Sequence, residues 1–406
     1  MKVSDQRQPW PGRPLWAEVD LDALAHNVRV LKARAQGAQL WAVVKANAYG
    51  HGAVGVARAA LEAGADGLCV VCLEEAEELR EAGIGAPILV LGPSEPAQAR
   101  RIVELGVIPT VASRELALAL ADAAAARDLL QPVHIKVDTG LHRFGLRPPE
   151  AIALARFLRQ VPQLRVEGLF THFASAEDGD KTYTLEQYRL FLAVAGELDW
   201  VPVRHVSNTA TILDMPEMSL EMVRPGVGIY GCYPAGPRPD VELRPVLSLK
   251  SRVQRLTWLE PGESVSYGRT WRARRRSLVA LVACGYADGL PRVLSNRGWV
   301  LVRGRRAPIV GRVCMDMCMA DVTEVPDVAV GDEVVILGRQ GEEEIRAEEV
   351  AALCDTISYE VLCGIGPRVP RLFLRGGRVV GMELRKGHLS GDLAPATAAP
   401  AAEAHE

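Results

Sequence analysis

The chain has 406 residues, a formal net charge of −3 and eight cysteines. Its length exceeds one ordinary domain and allows a large core, so two domains are expected. A nearly neutral charge favours neither nucleic acid nor an anionic membrane as a partner. No apolar stretch approaches the roughly 20 residues that span a bilayer, and the polar start Met1–Pro11 lacks the pattern of a signal peptide, so a cytoplasmic location is predicted.

The cysteines indicate reduced thiols rather than a disulfide framework in a chain of this length. Cys69 and Cys72 have the Cys-x-x-Cys spacing of redox motifs, and Cys314 and Cys318 could mimic a second such pair. Both pairs lie in apolar, strand-like segments without a zinc pattern, so no metal is predicted. The basic cluster Arg272–Arg276 is interpreted as a solvated turn rather than a nucleic-acid patch.

The most informative segment is Val43–Gly52, with the sequence VVKANAYGHG. The apolar run Leu40–Val44 predicts a buried strand, so Lys45 lies at its carboxyl end, where parallel α/β architectures hold their active sites. Partial burial lowers the pKa of a lysine there, and the neutral amine can condense with a carbonyl as a Schiff base. Gly50 and Gly52 let the backbone bend close to a bound group. For an isolated Val-Lys pair, a lysine that reaches solvent is the alternative.

Short β-rich runs alternate with helical stretches from Leu40 to about Gly231. Eight runs predict strands: Leu40–Val44, Gly67–Val71, Ile88–Leu91, Val107–Val111, Val133–Val137, Arg165–Phe170, Arg204–Val206 and Met222–Arg224. Eight strands alternating with helices predict a (β/α)8 TIM-like barrel. Asp20 and Ser113 are predicted helix N-caps.

The pattern changes after Tyr230. Four prolines between Pro234 and Pro245 predict a linker, and β-rich segments separated by Gly, Pro and Asp turns then predict a mostly β domain with one helix, Ala347–Cys354. The fold class is therefore α/β plus β. The predicted domains are residues 13–240, the barrel, and residues 241–387, the mostly β domain. Residues 388–406 are rich in Ala, Pro and Glu and are predicted to be a disordered tail.

Polar side chains follow the later barrel strands. Lys136 and Arg143 come after the fifth strand and His172 after the sixth, whereas Thr209 and the segment Arg224–Gly228 follow the last two. Each has an ordinary alternative, such as a solvated arginine or a histidine that only positions a neighbour. Hydroxyls and glycine N–H groups near the last barrel strands are a usual means of holding a phosphate. Because these polar residues all lie at the ends of barrel strands, we interpret them as parts of one binding site.

Taken together, these segments closely resemble the alanine racemase family over about residues 13 to 385. The resemblance implies pyridoxal 5′-phosphate (PLP) as the cofactor and Lys45 as its Schiff-base lysine. Arg224 resembles the arginine that meets the pyridine nitrogen, with His172 supporting it. The implied phosphate contacts are Tyr49, Thr209, Gly226 and Val227.

In the second domain the resemblance covers three further segments. Ser264–Gly268 matches the pattern around the family's catalytic tyrosine, here Tyr267. Tyr286 and Asp316 match residues at the entrance of the site, and Met315 matches a backbone contact to the substrate carboxylate. In the barrel, Lys136 corresponds to a lysine that is often carbamylated and that orients the arginine matching Arg143, a substrate-binding residue. An ordinary, unmodified Lys136 is the alternative.

The implied activity is interconversion of L-alanine and D-alanine by two bases, Lys45 on one face and Tyr267 on the other, which supplies D-alanine for peptidoglycan. The implied assembly is a head-to-tail homodimer with shared active sites. A serine racemase or a racemase of broader specificity would share nearly every motif. A decarboxylase of the same fold type is disfavoured by the loops around Tyr267 and Met315, and a PLP-binding homeostasis protein would lack the second domain.

Two departures from the family pattern are visible. A serine of some members is Thr209 here, which keeps the hydroxyl. Some members also use a tyrosine as an extra phosphate contact where this chain has Pro367. Proline has neither a side-chain hydroxyl nor an N–H, so that contact must be absent or replaced.

Overall fold

The computed structural model describes residues 12–384, so the predicted tail at 388–406 lies outside the described residues. One strand, β1 (Leu15–Asp20), precedes the barrel. The barrel strands are β2 (Gln39–Val43), β3 (Gly67–Val70), β4 (Ile88–Val90), β5 (Ile108–Val111), β6 (Gln131–Lys136), β7 (Leu164–Phe170), β8 (Val203–His205) and β9 (Met222–Val223). All eight predicted strands are thus confirmed, with ends that differ by one or two residues.

The barrel strands form one parallel sheet in the order β8-β7-β6-β5-β4-β3-β2-β9. Two backbone hydrogen bonds join β8 and β9 and close the ring: Glu221 N donates to Arg204 O at 3.3 Å and Arg224 N donates to Ser207 O at 2.9 Å. The strands are short, and most of their residues are buried, as expected for parallel strands covered by helices. The predicted (β/α)8 fold is confirmed.

Most of the helices of this domain cover the outside of the barrel. The helices are α1 (Leu21–Arg34), α2 (Lys45–Tyr49), α3 (Ala53–Glu62), α4 (Leu73–Glu81), α5 (Ala99–Leu105), α6 (Arg114–Ala125), α7 (Pro148–Leu158), α8 (Thr182–Glu197) and α9 (Thr209–Asp214). The two predicted N-caps are confirmed. The Asp20 carboxylate accepts hydrogen bonds from the amides of Asp22 and Ala23, and the Ser113 hydroxyl accepts one from Leu116 N.

The remainder of the described chain forms the mostly β domain that the sequence predicts. Its strands are β10 (Leu247–Leu259), β11 (Ser264–Val265), β12 (Trp271–Arg272), β13 (Ser277–Val282), β14 (Trp299–Val302), β15 (Arg305–Pro308), β16 (Cys318–Asp321), β17 (Glu333–Gln340), β18 (Glu343–Ile345), β19 (Arg371–Arg375) and β20 (Arg378–Glu383). Two helices, α10 (Ala347–Cys354) and α11 (Ser358–Cys363), follow β18. The predicted helix at 347–354 is confirmed, and α11 was not predicted.

Strand β1 lies outside the barrel, in the sheet of the second domain. It pairs antiparallel with β10 and parallel with β19, so residues from both ends of the chain meet in one sheet. This segment falls within the predicted barrel domain, residues 13–240, but it pairs with strands of the other sheet. The division near residue 240 stays an interpretation.

The predicted linker, Pro234–Pro245, packs on the barrel. Val241 and Leu243 are buried in the barrel core, and the Tyr233 hydroxyl donates to Val241 O at 2.7 Å. The two domains are therefore connected by an anchored segment. Within residues 12–384, no helix is both long and apolar enough to cross a bilayer, and no group of three or more metal-binding side chains is found.

Candidate active site

Helix α2 begins at Lys45 and has an unusual backbone. Ala46, Asn47, Ala48 and Tyr49 have φ angles of 52°, 53°, 52° and 51°, so these residues form one left-handed turn. Left-handed backbone costs about 1–2 kcal/mol for each residue with a Cβ. Such strain persists only where the surroundings hold it, and it is concentrated at functional sites. The turn points to a function for the lysine at its start.

Side chains from two directions hold the end of this turn. The His51 ring is fully buried, and its Nδ1–H donates to the carbonyl oxygens of Ala48 and Tyr49, both at 2.9 Å. Burial lowers the pKa of His51 to about 4, so the ring is neutral. From β19 of the second domain, Arg371 Nε donates to Gly50 O at 3.0 Å. Both domains therefore determine how the lysine is presented.

Lys45 is partly buried at the mouth of the barrel. Burial lowers the pKa of its amine, and the positive charge of Arg143 lowers it further, while Glu75 has the opposite effect. A lowered pKa increases the fraction of neutral, nucleophilic amine near neutral pH. The chemistry expected from the sequence is thus supported by the local electrostatics.

Lys136 lies at the end of β6 and is only 6% exposed. Its Nζ lies 5.2 Å from the ring centroid of Phe144 and 5.9 Å from that of Phe170. Burial, followed by the charges of Arg143 and Arg224, lowers the pKa of its amine to about 8. Arg143 is exposed at the barrel mouth. The predicted pair Lys136 and Arg143 is thus brought together with Lys45.

A buried polar chain crosses the barrel end. Arg224 Nη1 donates to His205 Nδ1 at 2.5 Å, and His205 Nε2 lies 2.9 Å from His134 Nδ1. A guanidinium only donates, so His205 accepts at Nδ1 and donates from Nε2 to His134. Burial and the charge of Arg224 lower the pKa of His134 to about 3, and the same causes lower the pKa of His205. The arginine carries the charge and both rings are neutral.

Arg224 has two close hydrogen-bond acceptors. Its Nη1 donates to His205 Nδ1 at 2.5 Å, and its Nη2 donates to the backbone oxygen of Thr171, the residue directly before His172, at 2.8 Å. His172 is half-buried, and burial together with the charge of Arg224 lowers its pKa well below the usual value. Its supporting role stays a prediction.

Four predicted phosphate contacts lie together at the ends of β2, β8 and β9. The Thr209 hydroxyl accepts hydrogen bonds from the amides of Gly226 and Gly228, each at 3.2 Å. A Cβ added at Gly226 would lie 2.5 Å from Tyr49 Oη. Val227 begins a 3₁₀ helix, where the first N–H groups lack partners within the helix. Hydroxyls and amides thus converge on one small cradle.

The predicted residues of the second domain form a separate group. Tyr267, Tyr286 and Met315 are 73%, 43% and 53% exposed, which is unusual for side chains of this size. A groove of about 510 Å³ contains Tyr267, Met315 and Asp316, and every residue that lines it belongs to the second domain. This apolar, open surface has the character of an interaction site.

Asp316 is fixed by a network of ion pairs. Arg368 Nη2 donates to Asp316 Oδ1 at 2.7 Å, and Arg368 Nε donates to Asp288 Oδ1 at 2.7 Å. Asp288 is fully buried and also pairs with Arg13, near the start of the described chain. Arg368, which directly follows Pro367, therefore fixes the loop that carries Asp316.

Sequence reasoning missed two residues at the barrel mouth, His205 and Glu75. His205 stands in the Arg204–Val206 strand, so its position at a strand end was a usable signal. Glu75 belongs to the acidic first turn of α4, which has the appearance of a solvated helix start. Its carboxylate instead accepts hydrogen bonds from Ala46 N at 2.6 Å and Val71 N at 2.8 Å.

A parallel barrel with a partly buried lysine on a strand-end turn, followed by a mostly β domain, defines a class of two-domain proteins whose lysine is placed for reaction with a carbonyl group. Comparison with known proteins specifies the family. The alanine racemase N-terminal domain model matches residues 19–234, and the C-terminal domain model matches residues 246–373. The chain belongs to the alanine racemase family.

Individual relatives agree with this assignment. The chain is 49% identical to an alanine racemase of Symbiobacterium thermophilum over 89% of this chain and 97% of the relative. It is 47% identical to one of Halothermothrix orenii over 88% and 96% of the two chains. The solved alanine racemase of Bacillus anthracis with bound L-Ala-P is 39% identical, covers 93% of this chain and 99% of its own, and superposes with a TM-score of 0.85.

Proposed function

We propose that this protein interconverts L-alanine and D-alanine with PLP as its cofactor. The observation that carries the proposal is the position of Lys45, which begins a strained, braced turn beside the cradle of Tyr49, Thr209 and Gly226. Family membership over nearly the whole chain identifies alanine as the substrate.

The residues at the barrel mouth fit PLP. The cradle consists of hydroxyls and backbone amides and contains a glycine whose Cβ would collide with Tyr49, which suits an anionic phosphate that needs close backbone approach. Tyr49 would reach the phosphate through its hydroxyl, which burial keeps neutral because it raises the pKa. Arg224 is a buried cation that would hold the pyridine nitrogen.

When bound, PLP supplies an aldehyde for the lysine and a conjugated ring that accepts the electrons of the broken Cα–H bond. Racemisation requires proton exchange at Cα on both faces. Lys45 Nζ moves the proton on one face and Tyr267 Oη on the other. Arg143 and the backbone of Met315 bind the substrate carboxylate.

Arg224 has a distinct role in this proposal. Its guanidinium donates to His205 and stays charged, so Arg224 would hold the pyridine nitrogen of bound PLP as a hydrogen-bond donor and would favour its unprotonated form. An unprotonated ring withdraws electrons less strongly. Arg224 thereby limits protonation at the wrong carbon and favours racemisation over transamination.

The exposed groove around Tyr267 supports a homodimer with shared sites. Tyr267 lies in a groove that is lined only by residues of the second domain. Three predicted site residues of this domain are exposed in the single chain: Tyr267, Tyr286 and Met315. A two-fold dimer would bring Tyr267 of one subunit to Lys45 of the other. A cytoplasmic location and a supply of D-alanine to peptidoglycan complete the proposal.

Two measurements test this function. Borohydride reduction followed by peptide mapping should find the pyridoxyl group on Lys45, and Lys45→Ala should fold but retain no covalent cofactor. An assay coupled to D-amino-acid oxidase should show the highest kcat/KM with L-alanine among L-alanine, L-serine and L-lysine. A pyridoxyl group on another lysine would refute the site, and preference for L-serine would indicate a serine racemase instead.

A further inference from the structure

The start of the left-handed turn has a brace of its own. Glu75 lies in the first turn of α4, and its two carboxylate oxygens accept separate hydrogen bonds: Oε1 from Ala46 N at 2.6 Å and Oε2 from Val71 N at 2.8 Å. Ala46 follows Lys45 directly, and Val71 directly follows β3. One carboxylate therefore joins the carboxyl ends of two neighbouring barrel strands at the site of the lysine.

We propose that Glu75 is a positioning residue for Lys45: it fixes the first amide of the strained turn and keeps a negative charge beside the lysine amine. The proposal rests on the proposed function, because a positioned lysine matters only if Lys45 holds the cofactor. It extends that function to a residue outside the cradle and outside the pair of bases.

The hydrogen-bond chemistry requires an acid at this position. An ionised carboxylate presents two acceptors and can satisfy two N–H groups, whereas a glutamine presents one acceptor and one donor. A glutamine would therefore turn an NH2 group toward one of the two amides. The four left-handed residues, which begin at Ala46, store strain. Loss of the hydrogen bond from Ala46 N to Glu75 would therefore let the turn relax.

The charge has a separate effect. Arg143 disfavours the protonated form of the Lys45 amine, and Glu75 favours it. Glu75 thus limits how far burial and Arg143 lower the pKa of the lysine. Without this carboxylate the lysine would lose its proton at lower pH, and its capacity to return a proton to Cα would fall.

The test compares three variants of the full-length protein with the wild type. Glu75→Gln removes the charge and one of the two bonds, Glu75→Asp keeps the charge on a shorter side chain, and Glu74→Gln removes the same charge from the exposed neighbouring residue. The first readout is the pH at which Lys45 is half-labelled by an amine reagent, followed by mass spectrometry in cofactor-free protein. The second is the dissociation constant for PLP, and thermal unfolding verifies that each variant folds.

Glu75→Gln should shift half-labelling of Lys45 to lower pH and weaken PLP binding by roughly tenfold or more, because a hydrogen bond to a charged group contributes about that factor. Glu75→Asp should weaken PLP binding without the pH shift, and Glu74→Gln should change neither. Equal values for Glu75→Gln and Glu74→Gln would overturn the proposal. If Glu75→Gln does not fold, Glu75→Asp decides: unchanged PLP binding in that variant would overturn it. Labelling of Lys45 is independent of racemase activity, so failure here is distinct from failure of the proposed function.

Discussion

Arg224 Nη1 donates to His205 Nδ1 across 2.5 Å at the carboxyl end of the barrel strands, where neither residue is more than 4% exposed. Phe170 stacks on the His205 ring with centroids 4.7 Å apart, and Arg224 lies 5.2 Å from the same Phe170 ring. The guanidinium is thus fixed by hydrogen bonds and by aromatic packing. A cation held this rigidly can control the protonation of whatever faces it.

Replacement of Arg224 by glutamate should slow racemisation and increase the amount of transamination relative to racemisation. A carboxylate would let the pyridine nitrogen take a proton, and the longer-lived carbanion would more often be protonated at the wrong carbon. The measurement is the ratio of pyruvate to D-alanine formed from L-alanine, with Arg224→Lys as a control that keeps the charge. If the ratio is unchanged and only PLP binding becomes weaker, Arg224 has a structural role and does not control the course of the reaction.

Gly226→Ala should weaken PLP binding by roughly tenfold or more, since the new Cβ would lie 2.5 Å from Tyr49 Oη. The Tyr49 ring cannot easily move away, because it packs 4.9 Å from the Tyr230 ring and 5.9 Å from the Tyr359 ring. The matched control is Gly196→Ala in helix α8, where a Cβ meets nothing within 4 Å. Equilibrium dialysis measures the affinities, and equal affinities in the two variants would argue against the cradle.

Lys136 should be carbamylated in the presence of bicarbonate. Carbon dioxide reacts with neutral amines, and burial with Arg143 and Arg224 lowers the pKa of Lys136 to about 8. Native mass spectrometry should show one added carbon dioxide per chain, absent in Lys136→Ala and after extended dialysis against bicarbonate-free buffer. Retention of the added mass in Lys136→Ala would place the modification elsewhere.

The lowered pKa of Lys136 should make the free energy of unfolding depend on pH in bicarbonate-free buffer. The pKa of Lys136 is lowered to about 8 in the folded protein and is about 10.4 in an unfolded chain. Between these values the unfolded state binds more protons, so the contribution of Lys136 to stability rises with pH and is lost as pH falls toward the folded value. Denaturant unfolding of wild type and Lys136→Met should show a difference that changes in favour of wild type from pH 8 to pH 10. A difference that does not vary with pH would contradict the lowered pKa.

The barrel and most residues of the site could be predicted because their signals are local. A buried strand is recognised as a short apolar run. Residues that follow such runs, such as Lys45 and Arg224, then lie at the same edge of a parallel barrel, the carboxyl ends of its strands. The pairing of β1 with β19 joins segments more than 350 residues apart, and no local pattern encodes such a register. The left-handed turn at Ala46–Tyr49 was missed because intrinsic propensities favour right-handed backbone for these residues. The hydrogen bonds from His51, Glu75 and Arg371 to its backbone explain why it forms.

In the proposed function, Lys45 and Tyr267 act as the two bases of one site built from two subunits. Mixing Lys45→Ala and Tyr267→Ala subunits under conditions that permit exchange tests whether the site is shared. In a hybrid dimer one site carries both changes and the other carries neither. With random pairing half of the dimers are hybrids, so roughly a quarter of wild-type activity should return from two nearly inactive parents. An inactive mixture with verified subunit exchange would contradict the claim, because residues that act within one chain leave every site with one lesion.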